Sequence, residues 1–485
     1  MALRRDVLKS IIGAAGVTLM PRKGRAWPGL GKQQQYSSVN GKVEMRWWED
    51  ARFGLFLHWG LYSAAAGDWK GRPAKGAEHF MLYERIPIKE YAELASELTL
   101  ENYDPDQWAR LAKQAGMKYM VVTAKHHEGF AMYDSPSSPY NIVKMSPYGK
   151  DPMKPLAEAC RKHGVRLCFY YSLGRDWQDP DVPTNWPTKA GRSNTWDYPD
   201  EDGKDFGRYF ERKVKPQVRE LLTQYGPVGI MWFDTPELIP RAASMELRAM
   251  IRGLQPDCIV NERIGNSQGD YDVAEQKLTY SQHARPWEAC MTMSRNWGYD
   301  KHDHAYKSPE VLVRDLVGVA SAGGNFLLDT GPTAQGSFTP EAIARLQAIG
   351  QWMQANSEAI YGTNAWLVQG EDGPKIEPPS ESIAAKSADT GIMKDAVNDS
   401  TSTAATPDLR FTTKGDAVYV IARSWRQPNI VVQSFATQKL RVKEVTLLGS
   451  KNRVKWHQDE EKLLIEMPTV PATDVPVYSF RVIKE

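Results

Sequence analysis

Short, almost continuously apolar segments alternate with longer amphipathic ones over residues 45–360 of this chain. In chain order, the strand candidates are 52–59, 118–124, 166–172, 228–234, 258–262 and 325–330. A strand that is apolar along its whole length is typical of a parallel sheet covered on both faces. The segments between them have helical patterning and boundary signals, such as Asp104 before one helix and Gly116 after it. This repetition predicts a parallel α/β domain.

Two parallel architectures fit such a repeat, a doubly wound sheet and a (β/α)8 barrel. A doubly wound sheet usually carries a glycine-rich phosphate turn directly after an early strand. The early strand candidates lack one, and the pair Gly323-Gly324 precedes a strand instead. The sequence therefore predicts a (β/α)8-type barrel, regular or irregular, over residues 27–362.

The composition changes after Gly362. Residues 363–407 are rich in Ser, Thr, Pro, Ala and Asp, which predicts a polar linker or long loop. Residues 408–485 contain strand-like segments separated by turn signals at regular spacing, without a helical pattern. We interpret them as a small C-terminal antiparallel β-sandwich domain.

Residues 1–26 have the features of an export signal. Arg4 and Arg5 precede an apolar run at 11–20, and a small residue, Ala26, closes the segment. The arginine pair is typical of the twin-arginine type, so we expect export, to the periplasm. No later segment of the sequence reaches the roughly 18 apolar residues of a membrane-spanning helix. We therefore expect no membrane span in the mature chain.

Charge and cysteine content exclude several functions. Lys plus Arg number 61 against 59 Asp plus Glu, a formal net charge of +2, so we expect no nucleic-acid partner. Four cysteines without a C-x-x-C pair do not form a disulfide scaffold. The 16 Trp and 21 Tyr suit stacking surfaces, including those that bind sugars, although aromatic cores are the commoner explanation.

Polar and aromatic side chains follow five consecutive strand candidates at the point where each strand ends. These ends are His58-Trp59, 125–128, 170–172, Asp234 and Glu262-Arg263. The C-terminal ends of barrel strands carry the catalytic residues of this fold. Together they predict a cup lined with His, Tyr, Trp, Arg and carboxylate groups.

Two of these features allow more than one interpretation. Asp234 follows an apolar strand, where an ionised carboxylate is costly without partners, so it is either catalytic or a helix N-cap. His126 and His127 either ligate a metal or hydrogen-bond a substrate or the backbone. A transition metal usually needs three convergent ligands, and the sequence offers no third with suitable spacing. We therefore predict no metal site.

Several of these strand ends lie in stretches that resemble glycoside hydrolase family 29, the α-L-fucosidases. The matching stretches are 46–63, 118–135, 167–172, 229–235, 260–265, 286–292 and 296–299. The resemblance implies a retaining, exo-acting enzyme that releases terminal α-L-fucose from fucosylated glycans through a covalent glycosyl-enzyme. It also implies that no metal or organic cofactor takes part.

The resemblance implies roles for individual residues. Asp234 matches the family's nucleophile, and Arg263 matches an arginine near it. The positions that match sugar-binding or pocket-wall residues are His58, Trp69, Glu78, His126, His127, Tyr171, Trp232 and Trp297. His79 follows Glu78 where many members have Trp, so this chain departs from the family at that wall.

A retaining glycosidase needs a second carboxyl group, about 5–5.5 Å from the nucleophile, as general acid/base. The resemblance favours Glu275, which we expect on the loop beyond the strand candidate 258–262. Glu288 is the runner-up, because its apolar neighbour Trp287 would raise its pKa as a general acid requires.

Other functions fit the same fold. One is a retaining glycosidase for another sugar, such as a galactosidase. Another is a non-catalytic carbohydrate-binding barrel, against which Asp234 and the histidines count. A structural protein with an aromatic core would leave the pattern of strand ends unexplained. The sequence makes no prediction of the oligomeric state.

Overall fold

The computed structural model of the chain describes residues 44–183, 194–236, 239–277, 283–371, 409–423, 428–469 and 473–485. The predicted export signal and most of the predicted polar linker lie outside these described residues. Within them, a parallel α/β region is followed by antiparallel sheets.

Eight parallel strands form the first sheet. They are β1 (Phe53–Leu57), β2 (Tyr119–Lys125), β3 (Arg166–Ser172), β4 (Ile230–Asp234), β5 (Ile259–Val260), β6 (Asp272–Glu275), β7 (Trp287–Thr292) and β8 (Asn325–Thr330). Consecutive strands pair within β1–β5 and within β6–β8, and β1 lies between β2 and β8. Every pair is parallel, as the apolar strands predict.

The two ends of this sheet meet between β5 and β6. A single parallel bridge joins Asn261 to Tyr271, and the Asp270 amide donates to the Val260 carbonyl at 2.7 Å. The sheet therefore curls into an irregular (β/α)8-type barrel, and the predicted fold class is confirmed.

Two of the barrel strands, β6 and β7, were absent from the six predicted ones. All four residues of β6 are only half-buried, so it presents no apolar run. β7 carries Glu288 in its fully buried interior, which interrupts the apolar pattern. A strand that contains a buried carboxylate is not recognised from hydrophobicity alone.

Helices surround the barrel and connect its strands. The α-helices that the structure describes are α1 (Arg46–Ala51), α2 (Tyr62–Ala65), α3 (Phe80–Tyr83), α4 (Ile88–Tyr91), α5 (Pro105–Gln114), α6 (Ile142–Met145), α7 (Met153–His163), α8 (Phe206–Tyr209), α9 (Lys215–Gln224), α10 (Arg241–Leu254), α11 (Pro309–Ser321) and α12 (Pro340–Asn356). Asp104, Ser308 and Thr339 cap α5, α11 and α12 through side-chain hydrogen bonds, each followed by a proline. None of the described helices is long and apolar enough to cross a membrane.

The helical segment 206–224 is divided near Pro216. A π-helical turn, Phe210–Val214, separates α8 from α9. Proline has no N–H to donate, and its ring clashes with the carbonyl four residues earlier, so it fits only the first turn of the new helix. Short 3-10 turns lie at Ala77–His79, Ala92–Glu97, Glu262–Ile264, Ser357–Ala359 and Gln433–Phe435.

Aromatic side chains fill the barrel interior. Alternate residues of a strand point to opposite faces, and Phe56, Tyr170 and Trp232 point inward. Their ring centroids lie 5.0–5.9 Å apart. At the N-terminal end, Trp48 of α1 packs on Tyr271 with a centroid distance of 4.4 Å. With that end filled, we look for a ligand site at the C-terminal ends of the strands.

The C-terminal region contains two antiparallel sheets. Its strands are β9 (Asn364–Glu371), β10 (Leu409–Lys414), β11 (Ala417–Ala422), β12 (Asn429–Val432), β13 (Val442–Leu447), β14 (Lys455–Gln458), β15 (Leu463–Glu466) and β16 (Tyr478–Lys484). The sheets have the strand orders β9-β10-β11-β16-β13 and β12-β15-β14. They share one apolar core, which includes Phe411, Phe435 and Phe480. This arrangement agrees with the predicted sandwich.

β9 lies inside the segment predicted as a linker. It pairs antiparallel with β10 from Asn364 opposite Thr413 to Glu371 opposite Leu409, with a shift of register between. Because of that shift and the 90% exposure of Leu367, the segment shows no regular alternation of buried and exposed residues. The C-terminal sheet therefore begins at Asn364, before the predicted boundary at 408.

Candidate active site

Polar side chains from seven barrel strands gather at the C-terminal end. They follow or end β1 (His58), β2 (His126, His127), β3 (Tyr170, Ser172), β4 (Asp234), β5 (Arg263), β6 (Glu275) and β8 (Asp329). Contacts among these side chains join them into one site, so the cup predicted from the strand ends is present in the fold.

Asp234 is the most highly coordinated of these residues. Its Oδ1 atom accepts hydrogen bonds from Arg263 at 2.7 Å and from the Thr235 amide at 2.8 Å, and its Oδ2 atom accepts one from the Tyr170 hydroxyl at 2.8 Å. Burial would raise the pKa of Asp234, but the charges of Arg263 and Arg175 and the Tyr170 hydrogen bond hold it below its ordinary value. The side chain is therefore an ionised, fixed carboxylate.

The N-cap interpretation of Asp234 does not fit the fold. The next described helix, α10, begins at Arg241, with Pro240 at its N-cap position. The partners of Asp234 are instead the adjacent Thr235 amide and the side chains of Tyr170 and Arg263, which come from neighbouring barrel strands or the turn after them. These contacts hold the carboxylate among the side chains of the site.

Arg263 bridges the two candidate catalytic carboxylates. One of its terminal nitrogens donates to Asp234 at 2.7 Å and the other to Glu275 at 2.6 Å. The guanidinium also lies over the Trp232 ring, 5.1 Å from its centroid. The Glu275 side chain is 38% exposed and that of Asp234 is 16% exposed, so both carboxylates remain accessible from the pocket.

Glu275 ends strand β6, which corrects its predicted position on a loop. Glu288 lies elsewhere. It is fully buried inside the barrel and accepts hydrogen bonds from Tyr119 at 2.6 Å and from Trp232 at 2.9 Å. Burial raises its pKa to about 7. However, the carboxyl group lies beneath Trp232, where a leaving group cannot reach it.

A pair of neutral histidines adjoins Asp234 through His127. His127 Nε2 lies 3.6 Å from Asp234 Oδ2, and its Nδ1 lies 2.6 Å from the Ser172 hydroxyl. The His126 ring packs 4.1 Å from that of His127. Burial, with neighbouring histidines and Arg175 adding to it, lowers the pKa of both rings well below the ordinary value. Neutral imidazoles of this kind can donate to or accept from sugar hydroxyl groups.

The adjoining wall contains His58, Glu78 and Trp297. The Trp297 ring lies 5.0 Å from the His58 ring. Glu78 is buried, accepts a hydrogen bond from the Gly298 amide at 3.0 Å and lies 3.0 Å from His79 Nδ1. The His79 ring continues this wall to 5.3 Å from His127. Trp69 lies farther out, on the short hairpin of Asp68–Trp69 and Arg72–Pro73.

Tyr171, predicted to hold a sugar hydroxyl group, does not lie among the side chains of the site. The Tyr171 side chain points away from the barrel interior and donates to Gln217 of helix α9 at 2.8 Å. Tyr170, one residue earlier, points inward to Asp234. Adjacent strand residues face opposite sides, so an error of one position moves the tyrosine out of the site. Trp232 likewise forms the floor beneath Arg263 rather than a side wall.

Sequence reasoning also missed Asp329 and Arg175. Asp329 occupies the fifth position of β8, and its Oδ1 atom lies 2.6 Å from His58 Nδ1. A carboxylate near the end of an apolar strand was the signal used for Asp234, and it would have identified Asp329 too. Arg175 acts electrostatically on Asp234 and both neutral histidines.

The described residues contain no group of three or more His, Cys, Asp or Glu side chains arranged to hold a metal ion. The site is instead built from two carboxylates, one bridging guanidinium, and imidazole, tyrosine and indole groups. Carboxylates that face a polar pocket at the end of an α/β barrel are characteristic of glycoside hydrolases.

Comparisons with known families identify the particular family of glycoside hydrolases. A family model described as alpha-L-fucosidase matches residues 30–358, and one described as alpha-L-fucosidase C-terminal domain matches residues 401–484. The chain belongs to the α-L-fucosidase family, whose members are glycoside hydrolases acting on fucosylated glycans.

Individual relatives agree. The chain is 29% identical over 468 residues to the tissue alpha-L-fucosidase of Mus musculus, covering 91% of this chain and 92% of the relative. It is 30% identical to the alpha-L-fucosidase of Dictyostelium discoideum, with coverage of 70% and 77%. Among solved structures, it is similar to the alpha-L-fucosidase from Vibrio sp. strain EJY3 (TM-score 0.78, 30% identity, coverage 92% and 74%). It is also similar to isoenzyme 1 from Paenibacillus thiaminolyticus (TM-score 0.75, 31% identity, coverage 91% and 98%).

Proposed function

We propose that this fucosidase hydrolyses terminal α-L-fucosides with retention of configuration, using Asp234 as nucleophile and Glu275 as general acid/base. The observation that carries the proposal is the Arg263 bridge, which holds both carboxylates at one side of the same pocket. A retaining mechanism needs two carboxyl groups close enough to act on one glycosidic bond.

The reaction proceeds in two displacements. An oxygen of Asp234 attacks the anomeric carbon, and the glycosidic oxygen leaves with the proton of Glu275, which forms a fucosyl-enzyme ester and the free acceptor. Glu275 then removes a proton from water, and the water oxygen attacks the same carbon. This step breaks the ester, releases L-fucose in the α configuration and returns both residues to their starting states.

The pocket walls suit the polarity of a 6-deoxy sugar. His58, His126, His127 and Glu78 offer donors and acceptors to hydroxyl groups, whereas Trp297 offers an apolar face to the methyl group. The alpha-L-fucosidase AlfC from Lactobacillus casei, to which the chain is 34% identical over a structural match with a TM-score of 0.62, was solved with α-L-fucose product. That likeness supports fucose as the sugar held here.

The anomer formed first tests the proposed stereochemistry. We expect proton NMR of an aryl α-L-fucoside digest to show the α anomer of L-fucose before mutarotation produces the β anomer. Early appearance of the β anomer would contradict retention. Aryl α-D-galactoside serves as the matched substrate control, and hydrolysis of that substrate at the higher rate would favour a different sugar specificity.

A metal-free mechanism predicts resistance to chelation. We expect activity on an aryl α-L-fucoside to survive exhaustive dialysis against a strong chelator, because the proposed steps use only side chains. Activity measured before and after dialysis, with and without added Zn²⁺, checks this. Loss on dialysis followed by recovery with Zn²⁺ would support the metal interpretation of His126 and His127.

We also infer that residues 1–26 direct export, to the periplasm, through the twin-arginine route. The arginine pair followed by a short apolar run supports this inference. In the double variant Arg4→Lys, Arg5→Lys, we expect precursor to accumulate in the cytoplasm, because the receptor reads the arginines themselves rather than their charge. Cell fractionation and immunoblotting measure the outcome. Unimpaired export of the double variant would indicate another route.

A further inference from the structure

A buried carboxylate stands behind His58 at the base of the pocket. Asp329 in β8 lies opposite Phe56 of β1 in the strand register and is fully buried. Its Oδ1 atom lies 2.6 Å from His58 Nδ1, whereas its buried Oδ2 atom has no hydrogen-bond partner among the described residues. Burying a carboxylate with one oxygen left without a hydrogen bond lowers the stability of the fold. We therefore look for a functional role of Asp329 in addition to its place in the strand.

We propose that Asp329 is a positioning residue that keeps the His58 imidazole protonated at Nδ1 and thereby directs Nε2 at a hydroxyl group of bound L-fucose. The inference rests on the proposed function and deepens it, because it assigns one pocket histidine a fixed orientation and a fixed hydrogen-bonding role.

Packing restricts the His58 ring to one orientation. Phe56, Trp297 and His126 surround it, with ring centroids 4.6, 5.0 and 5.4 Å away. With Nδ1 committed to Asp329, only Nε2 is left for a ligand, and no described residue hydrogen-bonds it. A carboxylate on one ring nitrogen fixes the tautomer and orientation of a histidine, as it does in many catalytic and metal sites.

The pair also controls charge at the pocket wall. The ionisable groups facing His58 include the carboxyls of Asp329, Glu78 and Asp234, the neutral His126 ring, and Tyr170, whose ring centroid is 5.6 Å away. Burial opposes a charge on His58, but Asp329 and the other carboxylates raise its pKa above the ordinary value. Burial raises the pKa of Asp329 to about 7. A raised pKa favours a proton on Nε2 as well as on Nδ1, and in that form His58 donates an N–H to the sugar.

The isosteric variant Asp329→Asn removes the negative charge of the side chain but keeps its shape, so it tests the effect of the charge on His58 alone. The asparagine oxygen can still accept from Nδ1, but it cannot stabilise a charged imidazole. We expect the inhibition constant of L-fucose at neutral pH to rise about tenfold. We also expect the alkaline limb of its pH profile to move about one pH unit or more toward acid, since one pKa unit corresponds to a tenfold change in the protonation equilibrium. His58→Gln should abolish that limb, which would assign it to His58.

Asp315→Asn provides the matched control. Asp315 is also a buried carboxyl with a raised pKa, but it lies on the outer helix α11. We expect this variant to keep the wild-type inhibition constant and pH profile. If Asp329→Asn does the same while His58→Gln alters both, Asp329 is only structural and the proposal is overturned.

Direct binding keeps this test separate from the proposed function. Calorimetric titration of L-fucose into wild-type protein and into Asp329→Asn requires no turnover. If the wild-type enzyme fails to hydrolyse fucosides but binds L-fucose with the expected pH dependence, the catalytic assignment fails and the Asp329 inference stands. If both proteins bind with the same affinity at every pH, the Asp329 inference fails whatever the catalytic result.

Discussion

Replacing Asp234 with glycine is expected to reduce kcat for aryl α-L-fucosides on the order of 10³-fold or more, because the variant has no group to form the fucosyl ester. The small cavity left by the carboxylate should admit azide. Azide would then attack from the vacated side and yield the β-configured fucosyl azide, with partial recovery of the rate.

Asp315→Asn again serves as the control, and we expect near wild-type turnover from it. Two measurements decide the outcome: the steady-state rate with and without azide, and the anomeric configuration of the azide product by NMR. Near-native turnover of Asp234→Gly without azide would remove Asp234 from the mechanism. An α-configured azide would show that the nucleophile attacks from the other face.

The second large effect is expected for Glu275→Ala, and it should depend on the leaving group. Natural fucosides have poor leaving groups that need a proton, so we expect kcat/KM for them to fall about 10²–10⁴-fold. Aryl fucosides with acidic phenols need little protonation, so the first step should be slowed less than about tenfold. The measurement is a series of aryl fucosides of graded phenol pKa beside a fucosylated oligosaccharide.

Glu288→Gln is the matched comparison for this series. Glu288 lies beneath Trp232 and is fully buried, so its loss should change all substrates by a similar factor through packing or the support of Trp232. If Glu288→Gln shows the dependence on leaving group and Glu275→Ala does not, the acid/base assignment is reversed.

Much of the fold could be predicted because its signals are local. Continuous apolar strands, helix caps and terminating glycines each act within a few residues, and six barrel strands follow from them. The convergence of the strand ends at one site follows from parallel topology alone. Once the strands are assigned, the positions of His58, His126, His127, Asp234 and Arg263 at the open end require no further information.

The residues whose positions were not predicted share a physical cause: whether a side chain is buried depends on partners that are distant in sequence. Tyr170 and Tyr171 are indistinguishable locally, and only the phase of the strand decides which one reaches Asp234. Glu288 is buried in a strand because Tyr119 and Trp232 supply its hydrogen bonds from two other strands. The proposed role of Asp329 depends on its contact with His58, which lies 271 residues away along the chain.

The central claim, a fucosyl ester on Asp234, is tested most directly by trapping it. A fluorinated L-fucosyl donor with a good leaving group slows the second displacement, because fluorine at C2 destabilises the positive charge that develops at the anomeric carbon. After brief incubation, digestion and peptide mass spectrometry should find one fluorofucosyl group on the peptide that contains Asp234, with fragmentation assigning it to that carboxylate. A label on another residue, or rapid turnover of the donor without any covalent adduct, would contradict the account.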